Sequence, residues 1–338
     1  MLEDQILLRL FDMRNVFRIL TIVPILLAVV TFAQPPRPVE VNGPLKVIGN
    51  ILVNKEGLPP QLRGISLSWS LWAGKKYYNP AVVNWLTKDF KITLIRASMG
   101  VQPDQGYLQN PDEQLKLMSS VIDQAIQNGI YVLIDWHDHN AEKHLDASKA
   151  FFTNMAQKYA GIPNVIYEIF NEPVHQSWQV VKSYSEEVIK VIRKYDFQNV
   201  IVIGSPRWDQ DVDIAASDPI TGFDNLAYSF HFYASDPNHQ EKLRAKAELA
   251  MNRGIALFVT ECGVGESNGN GEFNRGKTAV WMDWLEKNRL SWVVWHITDK
   301  NETTSILLPG ASEKGEWKEN NLTESGQYIR EKIRQLNK

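Results

Sequence analysis

The sequence is poor in cysteine. Its 338 residues include one, Cys262, so no intrachain disulfide can close, and no Cys/His cluster has zinc-finger spacing. Positive charge is not in excess either: 36 Lys and Arg against 39 Asp and Glu leave a formal net charge of -3. Such a chain has no field to hold a phosphate backbone, which excludes nucleic acid as an expected partner. No glycine-rich nucleotide-binding signature, G-x-G-x-x-G or G-x-x-x-x-G-K-[ST], follows any apolar run. Ser/Thr-rich linkers, appended modules and repeats beyond a strand-helix alternation are also lacking. Long apolar runs are confined to one, Ile19 to Ala33.

That run follows Arg14 and Arg18, contains Pro24 and gives way to the Pro-rich stretch from Gln34 to Pro38. It is shorter than the roughly 20 apolar residues of a spanning helix. A basic start, a short apolar centre and a small residue at its exit predict a secretory signal over residues 1–33, cleaved near Ala33. Met13 opens a more ordinary signal than Met1, so residues 1–12 read as an upstream extension. Residues 34–44 then form a Pro-rich leader and residues 45–338 a catalytic domain. The expected location is extracellular, with no membrane association once the signal is removed. Asn301 and Asn321 lie in glycan sequons.

What the sequence does contain is an ordinary globular balance, 44% hydrophobic and 22% charged, with 11 tryptophans. This leaves no room for extensive disorder or a coiled-coil rod. From Leu45 onward, β-branched runs recur at 61–66, 92–97, 130–135, 165–170, 200–204, 226–232, 256–260 and 292–297. Between them, stretches such as 113–128, 183–195, 239–253 and 276–288 carry apolar residues at helical spacing. This alternation predicts a single (β/α)8 TIM barrel, near the usual size of about 250 residues. Alternation around Val47 to Val53 predicts an N-terminal β-hairpin that plugs the barrel.

Chemistry in such barrels collects where the strands end. The strand-end residues are Arg96, Asp135, Trp136, His137, His139, Asn171, Glu172, Trp208, His231, Tyr233, Glu261 and Trp295. Two carboxylates, Glu172 and Glu261, close otherwise apolar strands. Glycoside hydrolysis needs such a pair, one carboxyl to protonate the leaving oxygen and one to attack or assist from the other side. Two rival readings are a metal-dependent barrel hydrolase, built on the Trp-His-Asp-His-Asn run with His144, and an inactive sugar-binding barrel. The latter would keep the tryptophans and lose a glutamate; both glutamates are present.

Seven stretches, in order, carry a family resemblance: Leu-Arg-Gly-Ile-Ser at 62–66, Ile-Arg-Ala-Ser-Met-Gly at 95–100, Ile-Asp-Trp-His-Asp-His at 134–139, Tyr-Glu-Ile-Phe-Asn-Glu-Pro at 167–173, His-Phe-Tyr at 231–233, Val-Thr-Glu-Cys-Gly at 259–263 and Trp-His-Ile-Thr-Asp-Lys-Asn-Glu at 295–302. From Leu45 to Ile329 the chain resembles glycoside hydrolase family 5, and within it the secreted endo-β-1,4-glucanases (cellulases). The resemblance implies a retaining hydrolase of cellulose and related β-glucans, with Glu172 as acid/base and Glu261 as nucleophile. It implies Arg96 beside the nucleophile, His137 and Asn171 at the sugar, and His231 and Tyr233 ordering the carboxylates. Trp295 resembles the stacking platform, with Lys300 and Glu302 reaching hydroxyls of a neighbouring glucose and Trp72, Trp178 and Trp208 lining further subsites. No cofactor and no metal are implied, and the chain is expected to act as a monomer. The family also holds endo-β-mannanases, which is the alternative substrate reading. The sequence departs from the pattern at Ser68 and Trp69, at Cys262 and at Val294.

Overall fold

The structure, a computed structural model, describes residues 36–337; the expected secretory signal lies outside them. A short hairpin, β1 (Lys46–Ile48) and β2 (Ile51–Val53), precedes eight parallel strands. These are β3 (Arg63–Leu67), β4 (Leu94–Gly100), β5 (Tyr131–His137), β6 (Val165–Glu168), β7 (Ile201–Ile203), β8 (Leu226–Tyr233), β9 (Leu257–Gly263) and β10 (Trp292–Ile297). Strand β10 pairs with β3 and closes the barrel. Helices Pro111–Asn128, Leu145–Tyr159, Trp178–Arg193, Glu241–Asn252 and Arg275–Lys287 connect successive strands. Among the described residues no helix is long and apolar enough to cross a membrane.

Strand alternation sorts the barrel interior into layers. Leu94, Leu133, Ile166, Ala227 and Phe258 point inward in one apolar cluster, sealed from below by Leu45 and by Val47 and Leu52 of the hairpin. Side chains two residues apart share a face, so the next inward positions are Arg96, Asp135, Glu168, Ser229 and Thr260, all fully buried. The floor of the mouth is therefore polar, and every polar atom in it needs a partner. One irregularity adds to this layer. Val259 lies opposite Trp292 but Cys262 lies opposite Val294, so β9 carries one more residue than β10 between those pairs. The same offset appears against β8, where Ser229 faces Phe258 and His231 faces Glu261. A bulge of this kind redirects side chains, and here it lets Thr260 and Glu261 both serve the interior. Cys262 turns into the core, its Sγ 3.3 Å from the Val293 carbonyl.

The stretch expected as a leader contributes a helical turn, Pro38–Asn42, packed against the barrel. The Val39 N–H donates to the Gly129 carbonyl at 2.9 Å and the Tyr131 hydroxyl to the Gly43 carbonyl at 2.6 Å. Gly129 ends the helix Pro111–Asn128 with φ 69°, and a Cβ there would lie 2.7 Å from the Arg37 side chain. Both the left-handed backbone and the close approach require glycine.

Candidate active site

Arg96 organises the mouth. Its guanidinium donates twice to Glu168 (2.7 and 3.0 Å), once to Glu261 Oε2 (2.8 Å) and once to Asn171 Oδ1 (2.7 Å), and pairs with Asp135 at 2.9 Å. One cation cannot neutralise three carboxylates; all three are buried, and their remaining partners decide between them. Burial lifts Asp135 to about 7 and raises Glu168 against the pull of Arg96. Burial would raise Glu261 as well, but His231, Arg96 and the Tyr233 hydroxyl outweigh it and bring that carboxyl down to about 2. The Tyr233 hydroxyl donates to Glu261 Oε1 at 2.6 Å. Of the three, Glu261 is the carboxyl most strongly held as an anion.

Glu172 has different partners. Its backbone is left-handed, φ 52°, and its N–H donates to Asp209 Oδ2 at 3.0 Å. Asp209 belongs to a left-handed turn with Arg207 and Trp208 (φ 58°, 56° and 56°) and also accepts the Ser205 N–H at 2.5 Å. On the side-chain end, His231 Nδ1 meets Glu172 Oε1 at 2.9 Å while Nε2 meets Thr260 Oγ1 at 2.8 Å. Burial disfavours charge on His231, yet Asp209, the hydrogen bond to Glu172 and the Glu261 charge push it up to about 9. With both nitrogens protonated, His231 donates to each of these partners.

Oxygens of Glu172 and Glu261 and a His231 nitrogen lie within 4.8 Å of one another, the one His/carboxylate cluster that tight among the described residues. The other imidazoles diverge. His137, His139 and His144 each spend Nδ1 on a different oxygen, those of Asp135 (2.7 Å), the Glu172 carbonyl (3.2 Å) and Asp138 (2.6 Å). No three groups of the Trp-His-Asp-His-Asn run with His144 gather into so tight a ligand cluster among the described residues. Burial and the neighbouring Arg96 hold His137 well below its ordinary range, so it is neutral. The Asn171 Nδ2, on the residue before Glu172, is buried without a protein partner.

The cleft has two lobes. One, of about 420 Å³, is lined by Glu261, Glu172, Trp69, Trp72, Trp295 and Glu302. The other, of about 800 Å³, retains Glu172 and adds His231, His239, Arg207 and Trp208. Trp295 is stacked parallel to His137 (centroids 5.4 Å apart, 4°) and to His296 (4.2 Å, 14°), which fixes its plane. Glu302 accepts from His296 at 2.8 Å and pairs with Lys300 at 2.5 Å. Trp72 and Trp208 are exposed. Trp178 departs from the expectation of a ring lining the cleft: it is 3% exposed, its indole N–H donates to the Asp218 carbonyl at 2.9 Å, and it borders a separate hollow beside Trp208 rather than either lobe.

Glu168, Asp209 and His239 were not singled out from sequence. Glu168 had a signal, since it shares the inward face with Ile166, two residues earlier. Asp209 had none, because its role depends on three successive left-handed residues. Trp69, noted only as a departure from the family pattern, stands edge-on to His137 with centroids 4.2 Å apart and forms part of the cleft wall.

Comparison with known proteins identifies relatives of the chain. The family model described as cellulase (glycosyl hydrolase family 5) matches residues 53–301. Endoglucanase Z of Dickeya dadantii (strain 3937) is 43% identical over 290 residues, covering 85% of this chain; the chain spans 65% of that relative's length. A solved structure from Cytophaga hutchinsonii superposes with a TM-score of 0.87 at 46% identity, covering 89% of this chain and 98% of the other. The catalytic domain of Thermobifida fusca endoglucanase Cel5A (E5), solved in complex with cellotetraose, superposes with a TM-score of 0.83 at 32% identity, covering 88% of this chain and all (100%) of that one.

Proposed function

The chain belongs to glycosyl hydrolase family 5, and from that premise we propose that it is a secreted, retaining endo-β-1,4-glucanase that works without a metal. One observation carries the reading: two carboxylates whose nearest oxygens are within 4.8 Å, one locked as an anion by Arg96 and Tyr233, the other held by His231. Retaining glycosidases set their carboxyl groups about 5–5.5 Å apart, whereas inverting ones leave about 6.5–9.5 Å for a water. Nearest oxygens this close, with one carboxyl held as an anion, support direct attack rather than attack by an interposed water.

In the first step Glu261 Oε attacks the anomeric carbon and Glu172 gives its proton to the departing glycosidic oxygen, so the sugar becomes an ester of Glu261. The Glu172 carboxylate left behind is stabilised by the His231 Nδ1–H. In the second step that carboxylate takes a proton from water, the hydroxide attacks the same carbon and Glu261 is released. The free Asn171 amide is suited to the sugar 2-hydroxyl, a contact that strengthens as the ring flattens.

The two lobes meet at Glu172, His139 and Tyr233, an arrangement suited to a bond inside a polymer. The relative solved with cellotetraose supports a glucan as that polymer. Secretion rests on the signal read at residues 1–33, and N-terminal sequencing of the exported protein should begin after Ala33. The substrate is tested by rates on carboxymethylcellulose, lichenan, glucomannan and xylan. β-1,4-Glucan should be cleaved fastest, with an early fall in viscosity. Mannan cleaved faster than carboxymethylcellulose would overturn the glucanase assignment and leave the two-carboxyl chemistry intact.

A further inference from the structure

The larger lobe contains a donor with nothing to donate to. His239, in the loop after β8, is 5% exposed and lines that lobe. Its tautomer is set from behind: the Tyr233 backbone N–H donates to Nδ1 at 2.9 Å, and an N–H can only meet a lone pair. Burial, the largest influence, lowers the pKa of the ring and keeps it neutral, so its proton sits on Nε2. That N–H has no partner among the described residues.

The frame behind His239 is firm. Its N–H donates to the Asp236 carbonyl at 3.1 Å, and its carbonyl accepts the Trp281 indole N–H at 2.9 Å. Gln240 Nε2 bridges the carbonyls of Ala234 and Asp236 at 3.0 and 2.6 Å. A donor fixed in direction and tautomer binds a hydroxyl with little further loss of freedom.

The lobes can be assigned to the two halves of the substrate. Glu261 lines only the smaller lobe, while Glu172 lines both. The attacked carbon must lie by the nucleophile and the acid must sit over the bond being broken, so the larger lobe receives the departing half. Resting on the glucanase reading above, we infer that His239 binds that half, its Nε2–H donating to a hydroxyl of the glucosyl units beyond the cleaved bond. Three indoles, Trp69, Trp72 and Trp295, wall the smaller lobe, whereas Trp208 is the indole lining the larger one. Hydrogen bonding therefore has a larger share in holding the departing half.

The test compares His239→Leu and His239→Gln on cellopentaose and on dinitrophenyl β-cellobioside, whose two glucosyl units occupy only the nucleophile's side. His239→Leu should lose about tenfold more kcat/KM on cellopentaose than on the aryl glycoside, the scale of one hydrogen bond. His239→Gln can accept the Tyr233 N–H through Oε1 and donate through Nε2, and should recover most of the difference. Equal losses on both substrates would mean that His239 acts only by supporting Tyr233, and would overturn the inference. A second measurement needs no variant: with the wild-type enzyme trapped by a 2-deoxy-2-fluoro cellobioside, added cellobiose should shift the His239 Nε2 signal in ¹⁵N NMR. An unmoved signal at saturating cellobiose would contradict the proposal. If the unsubstituted protein hydrolysed neither substrate, the glucanase reading itself would fall, a result distinct from either of these.

Discussion

Replacing Tyr233 by Phe removes one hydroxyl from the mouth and leaves its ring in place. That hydroxyl donates to Glu261 Oε1 at 2.6 Å, and a hydrogen bond to a charged group is worth about 1.5–3 kcal/mol. At 1.36 kcal/mol for each pKa unit, the carboxyl of Glu261 should rise by about one to two from its position near 2. The anion is the attacking form, so activity is lost as pH falls through this pKa. At pH 7 the nucleophile stays ionised in both proteins, and the variant loses only orientation. Below about pH 5 the ratio of wild-type to variant activity should widen, with the variant's acid limb about one to two pH units higher. The assay is kcat/KM against pH with dinitrophenyl β-cellobioside, a leaving group that needs no proton and so removes Glu172 from the profile. Stability follows the same sign: a depressed carboxyl pKa stabilises the fold above its unfolded value near 4.5, and this is lost as pH falls toward 2. The difference in stability between the two proteins should therefore shrink in acid. Parallel pH profiles would refute the claim that Tyr233 holds the nucleophile ionised.

Trp295→Ala should lower kcat/KM on cellopentaose up to about tenfold, on the roughly 0.5–1.5 kcal/mol scale of ring stacking; wild-type kinetics in a folded variant would leave Trp295 a packing residue. Asp209→Ala removes the acceptor of two backbone N–H groups, those of Ser205 and Glu172. It should cost about 2–4 kcal/mol in denaturant unfolding at about 1–2 kcal/mol for each buried donor left unmet, and an unchanged midpoint would show that the left-handed turn supports itself. Dialysis against EDTA should leave hydrolysis unaltered; loss of activity restored by zinc would revive the metal-hydrolase reading.

Much of this architecture is legible in the sequence because short apolar, β-branched runs recur between segments of helical period. The run Trp-Val-Val-Trp-His-Ile predicts β10 over 292–297, where it is found, and the eight-strand barrel with its hairpin follows from similar runs. Strand β6 ends at Glu168, two residues short of the predicted Phe170, as the chain leaves the sheet to turn Glu172 into a left-handed conformation. The strand-end rule brings Arg96, Glu172, His231, Tyr233 and Glu261 to one list, and the structure brings them to one mouth. What alternation cannot supply is the bulge in β9, since period two allows only one of Thr260 and Glu261 to face inward. Nor can it foresee the Asp209 turn, which has no periodicity, or separate Trp208, exposed along the cleft, from Trp178, buried outside both lobes. Composition makes both rings equally suited to a sugar; only burial distinguishes them.

The central claim is that Glu261 attacks and Glu172 serves as acid and base. The most direct measurement is the stereochemistry of azide rescue on dinitrophenyl β-cellobioside. Glu172→Ala keeps the nucleophile, so azide should intercept the glycosyl-enzyme and yield a β-azide. Glu261→Ala opens the opposite face and should yield an α-azide. The reverse pattern would exchange the two roles, and an α-configured first product from the unsubstituted enzyme, read by NMR before mutarotation, would contradict double displacement.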